Sequence, residues 1–83
     1  MDVESEVRKV NRSETSLEAA RRNVAAKAEV VRITTDEVEA KTANLSTLKD
    51  AQAQLADAKA QLFDAEMSRA VAQAELARTA GQL

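Results

Sequence analysis

The sequence predicts an all-α protein, two long antiparallel helices forming a coiled-coil helical hairpin. Three observations lead there. The 83 residues contain no proline and a single glycine, Gly81, so the usual loop punctuation is missing. Alanine, a strong helix former, is the residue met most often along the chain. In the second half, leucine and alanine recur at seven-residue spacing, the signature of a helix packed along one seam.

The chain reads as one hairpin over residues 1–83, with a helix at about 2–40, a turn at about 41–45 and a second helix at about 46–80. The first stretch holds no breaker. Its end is marked by Ile33-Thr34-Thr35-Asp36-Glu37, in which Thr34 as N-cap and Glu37 three residues on form a possible capping box. Lys41-Thr42-Ala43-Asn44-Leu45-Ser46-Thr47 then offers Asn44 or Ser46 as N-cap of the following helix. Each arm is about 57 Å long at the α-helical rise. Equal arms can pair along their whole length; the alternative is one unbroken helix with polar residues at its centre. At the far end Gly81 reads as a left-handed C-terminal cap, and Arg78 in the last turn suits the helix dipole.

The second arm has two apolar rows. Leu48, Leu55, Leu62, Arg69, Leu76 and Leu83 stand seven apart, accompanied three residues on by Ala51, Ala58, Ala65, Ala72 and Thr79. The other row is Ala53, Ala56, Ala60, Phe63, Met67, Ala70, Ala74, Ala77 and Gly81, in strictly alternating steps of three and four with no charged member. At 100° per residue the rows lie about 150° apart. The first arm repeats the plan more weakly. Val3, Val10, Leu17, Val24, Val31 and Val38 form its main row, with Val7, Ala28 and Thr35 as companions and Glu14 and Arg21 as interruptions. Its second row reads Ala19, Asn23, Ala26, Val30, Ile33, Glu37, Ala40. A two-helix hairpin buries one edge of each helix, so these second rows call for further helices, either copies of this chain or sibling hairpins.

Composition narrows the function classes. Without cysteine or histidine there is no thiolate, no imidazole base and no common transition-metal ligand, and no enzymatic activity, metal or cofactor is expected. Twelve basic against fourteen acidic residues give a formal net charge of −2, which is no footprint for nucleic acid. No apolar run reaches the ~20 residues of a membrane span, and the first ten residues do not read as a signal peptide. The acidic row Asp50, Asp57, Asp64 is spaced at about 10 Å by helix rise, too far apart to share an ion. Asn11-Arg12-Ser13 and Asn44-Leu45-Ser46 fit the glycosylation acceptor pattern, which is too short to carry weight.

The run from Val38 through Lys41, Asn44-Leu45, Leu48 and Asp50-Ala51-Gln52 resembles the tip of the second periplasmic helical hairpin in the TolC family of outer-membrane efflux proteins. Leu62-Phe63-Asp64-Ala65 and the closing Leu76-Ala77-Arg78-Thr79-Ala80-Gly81-Gln82-Leu83 are also similar to that family, as are Glu6-Val7-Arg8 and Leu17-Glu18-Ala19-Ala20 upstream. The sequence departs from the family where its turn glycine falls on Lys41, its aromatic on Val38, an aspartate on Thr47 and, in some members, an arginine on Ala43. The resemblance implies a structural segment of the α-barrel tunnel of a trimeric efflux or secretion channel, in the periplasmic part of an outer-membrane protein. It implies that Lys41, Thr42, Ala43, Asn44 and Leu45 form a tip docking a periplasmic adaptor protein, and that Asp50, Asp57 and Asp64 face the lumen. Two alternatives stand beside it. The Ala51-Gln52-Ala53-Gln54-Leu55 run, with Arg32, Leu45 and Ser46, also looks like the α-hairpin of a periplasmic adaptor (membrane-fusion) protein. A self-contained coiled-coil scaffold or designed hairpin, cytoplasmic in location, is the third.

Overall fold

In the computed structural model, which describes residues 2–82, helix α1 runs Val3–Glu39 and helix α2 runs Leu45–Gly81. The two pack antiparallel along their length in a rod 64 × 14 × 12 Å. Each begins at a side-chain cap. The Asp2 carboxylate accepts from the Ser5 backbone N–H at 2.6 Å. Asn44 Oδ1 accepts from the backbone N–H of Thr47 at 2.9 Å and from its hydroxyl at 3.0 Å. Of the two predicted caps for the second helix, Asn44 is the one used, because its extended backbone (φ −96°, ψ 166°) aims the amide oxygen at the free donors of the first turn.

The reversal is made without glycine. After Ala40 the chain enters the left-handed region at Lys41, φ 63°. The Lys41 N–H then donates to the Val38 carbonyl at 3.0 Å and the Thr42 N–H to the Glu37 carbonyl at 2.8 Å. These are the paired bonds of a Schellman ending, which satisfy carbonyls that the last turn leaves open. The Thr42 hydroxyl and the Ala43 N–H add two more donors to Glu37, at 3.1 and 3.3 Å. A left-handed conformation costs a residue with a Cβ roughly 1–2 kcal/mol. Lys41→Gly is therefore expected to stabilise the hairpin by about 1 kcal/mol after the entropy of an added glycine is counted. A thermal melt should rise by about 4–8 °C; a fall would show that the lysine side chain makes a contact worth more than the strain.

Two predicted helix signals are overturned. Thr34 does not cap a new helix: α1 continues through it to Glu39, and Thr34 is buried against α2. Thr35, beside it, keeps its hydroxyl on the Val31 carbonyl at 2.7 Å within the same helix. Gly81 does not adopt a left-handed cap; it is the last residue of α2, followed by Gln82 in a right-handed conformation, φ −88°. The ending that needs positive φ is at Lys41.

The seam between the helices follows the predicted leucine–alanine row of α2. Ala51, Ala58, Ala72 and Thr79 are buried, and Leu48, Leu55, Leu62, Ala65, Arg69 and Leu76 are half-buried. Leu83 lies outside the described residues. On α1 the valine row is in the seam as predicted, with Val10 and Leu17 buried and Val3, Val24, Val31 and Val38 half-buried. Its companions differ. Val7, Ala28, Glu14 and Arg21 are exposed and Thr35 only half-buried, while the row one residue earlier, Glu6, Ser13, Ala20, Lys27 and Thr34, turns inward. Counting apolar residues favours the Val7 row, but that row would bury Glu14 and Arg21 in the middle of the hairpin. The row used puts Ser13 and Ala20 there, with one charge, Glu6, near the start of α1 and the other, Lys27, half-buried and bonded to Gln54. Each row carries two charges; the one used leaves Arg21, at the middle of α1, in water and gives Lys27 a partner in Gln54.

Candidate functional site

The alanine row sets the character of the interior. Small side chains on α2 face mostly small or polar ones on α1, and shallow grooves remain between the helices. Ser13 and Ser16 share a shallow groove with Ala65 and Ala72, and Ala20 and Asn23 line another with Gln61 and Ala65. Lys27 reaches across the helix pair to donate to Gln54 Oε1 at 3.1 Å. On the opposite side of the seam Leu17 lies beside Arg69, with Glu14, Glu18 and Arg21 around them. Carried along the repeat, this register sets Glu6 near Thr79 and Thr34 near Ala51, and all four are buried.

Glu6 is the one charged side chain fully enclosed, at 0% exposure. Its Oε1 accepts from Lys9 Nζ at 3.4 Å, while Oε2 is buried with no hydrogen-bond partner. The same is true of the Arg69 Nε, in the one basic interruption of the leucine row. A buried polar atom without a partner costs about 1–3 kcal/mol. Glu6→Leu is accordingly expected to raise stability by about 1–2 kcal/mol, seen as a higher urea midpoint with unchanged slope. A lower midpoint would mean that the second carboxylate oxygen is bonded in solution.

The predicted tip residues come together at the reversal. Lys41, Thr42, Asn44 and Leu45 are exposed and Ala43 is half-buried, so the turn presents a small polar crown with one exposed leucine, Leu45 at 56%. Just below it on α1, Arg32 binds both carboxylate oxygens of Glu29, at 2.5–3.2 Å, and reaches Asp36 at 3.4 Å. The hydrogen bond from Arg32 holds the Glu29 carboxyl below its usual range, and Glu29 in turn raises the guanidinium. A depressed carboxyl contributes stability above its unfolded value and loses it as pH falls through the folded one; for so exposed a pair the effect is small. Farther along α1, Arg22 pairs with Glu18 in the same manner.

Asp50, Asp57 and Asp64 are all exposed along one side of α2 and make no ion pair among the described residues. Nowhere among the described residues do three carboxylates converge as a metal site would need. Among the described residues no helix is long and apolar enough to cross a membrane.

The second rows are the surfaces that sequence reasoning singled out and the hairpin leaves uncovered. Every member of the α2 row from Ala53 to Gly81 is exposed, with Phe63 at 62% and Met67 at 52%. Val71, outside the predicted row but adjoining it, is 54% exposed and lines a shallow groove with Met67 and Ser68. On α1, Ala19, Ala26, Val30, Ile33, Glu37 and Ala40 are exposed, and only Asn23 is half-buried. Large apolar side chains left in water along a helix face are the mark of an interaction surface.

Fold and surface together define a class: an extended all-α hairpin whose unfilled apolar faces suit packing against further helices. Comparison with protein families, with curated proteins and with solved structures returns no match to this chain. The elongated two-helix hairpin is the part of the efflux-protein resemblance that the molecule displays.

Proposed function

We propose that this chain is a structural assembly element, a helical hairpin that works by lateral packing of its outer rows and by contact at its tip. In its finer form the reading is a wall hairpin of the periplasmic tunnel of an outer-membrane efflux or secretion channel. The observation that carries it is Lys41. Where the resembled family carries its turn glycine, this chain has its one left-handed residue outside glycine among those described, so the backbone of the tip follows a path that a glycine would suit. In such a wall, Asp50, Asp57 and Asp64 would line the lumen, where acidic rings raise local cation concentration and oppose anions. The adaptor reading is weaker. It wants Arg32 at the tip, but Arg32 lies two turns below it and is tied to Glu29 and Asp36.

The test is a titration of the isotope-labelled chain with the α-hairpin domain of a periplasmic adaptor protein, followed residue by residue by NMR. The reading expects shifts confined to Lys41–Leu45 and the flanking turns. No shift at a large excess of adaptor, or shifts spread evenly along both helices, would overturn tip docking.

A further inference from the structure

The outer row of α2 is not only apolar; it reads nearly the same in both directions. It places Phe63 and Met67 at its centre, and both are more than half exposed. Ala60 and Ala70 lie one step outward on either side, then Ala56 and Ala74, then Ala53 and Ala77. Each of these pairs is symmetric about position 65. Turned end for end, the row from Ala53 to Ala77 superposes on itself with only Phe63 and Met67 exchanged, and Gly81 alone falls outside the match.

We infer that α2 pairs through this row with α2 of a second copy, antiparallel, about a two-fold axis level with residue 65. In that register Phe63 packs on the copy's Met67 and Met67 on the copy's Phe63, while alanine meets alanine toward both ends. An aromatic ring against a thioether is a favourable contact, and alanine layers let the helices approach closely at the ends. A surface that is its own complement under a two-fold rotation is what a closed dimer requires. The flanking charges agree in part. Asp50 comes beside the copy's Arg78, a contact that occurs twice, while Lys59 falls opposite the copy's Gln73. Asp64 and Glu66 face their own counterparts near the axis, which weakens the pairing.

The α1 outer row lacks this symmetry. It is interrupted by Asn23 and Glu37, and the register that would bring Val30 onto the copy's Ile33 sets Ala26 against the charged Glu37. The self-pairing row spans about 36 Å from Ala53 to Ala77. With a helix about 10–12 Å across, it covers about 400 Å² per copy, about half of a standard interface, so the association is weak. The dimer should therefore form only at high protein concentration and stop at two copies. This goes beyond the tunnel reading and survives its failure. In a tunnel wall the helix on this edge would also run antiparallel to α2, so the same row would serve.

The test is sedimentation equilibrium of the full chain, with a cross-linking arm that fixes the register. The native chain should move from 9.0 kDa to twice that mass and no further. Phe63→Glu with Met67→Glu should weaken association at least tenfold, without loss of helix by circular dichroism. Asp64→Asn with Glu66→Gln should strengthen it severalfold. Because the chain has no cysteine, single cysteines report cleanly. A mixture of Ala60→Cys and Ala70→Cys chains should be joined by a short bis-maleimide far more than either variant alone. A chain still monomeric at the highest concentration reached would overturn the inference. So would preferential joining of Ala60→Cys to itself, or association abolished by Val30→Glu with Ile33→Glu but indifferent to the Phe63 and Met67 changes. The tip titration reads independently of all three.

Discussion

Leu17→Ala is expected to cost about 2–5 kcal/mol, the range for emptying a buried leucine site. Leu17 is the most enclosed apolar side chain of α1, at 2% exposure. It lies beside Arg69, where the leucine row of α2 is interrupted, so it supplies apolar area that the facing position does not. A domain of this length has a total stability of about 4–12 kcal/mol, and a two-layer hairpin with so narrow a core sits at the low end. The variant should be largely unfolded at 37 °C, with helical ellipticity reduced over the whole molecule, because neither arm is held as a helix without the other. A loss below about 1 kcal/mol would mean that the register described for Leu17 and Arg69 is not the one populated.

Ala58→Leu should be nearly as damaging for the opposite reason. Ala58 is buried at 2% exposure in the row that faces α1, so the added carbons must push into the neighbouring helix. Overpacking of this kind costs about 1–3 kcal/mol. The matched control is Ala60→Leu, two residues on and exposed, which should leave monomer stability within about 0.5 kcal/mol. If the two substitutions destabilise equally in a chemical melt, the alanines of α2 do not divide into an inner and an outer row.

That division is the part of the molecule most legible in the sequence. The leucine–alanine seam of α2 is read directly from seven-residue spacing, since a row that must face one neighbour along a whole helix leaves no freedom in its period. The outer row is legible for the same reason. The companions on α1 are not, because two adjacent rows carry similar apolar content. What separates them is that Arg21, at the middle of α1, stays in water while Lys27 finds a partner in Gln54, which is visible only once both helices are placed. The turn illustrates a different boundary. Asn44 announces itself as a cap by residue type, but nothing in Lys41 signals positive φ; its neighbours impose it through the bonds to Val38 and Glu37. Phe63 and Met67, by contrast, already stood out in the sequence as the only large members of a row otherwise made of alanine and glycine.

The central claim is that the chain folds back on itself along this single seam, leaving the outer rows free. It is tested most directly by the distance between spin labels at two exposed positions, Arg8→Cys and Arg78→Cys, diluted into unlabelled protein so that only pairs within one chain are read. A hairpin predicts a narrow distribution no wider than the breadth of two helices plus the label arms, about 10–30 Å. An unbroken helix predicts about 105 Å, and either that value or a broad distribution without a short-distance peak would contradict the fold and the two-row account built on it.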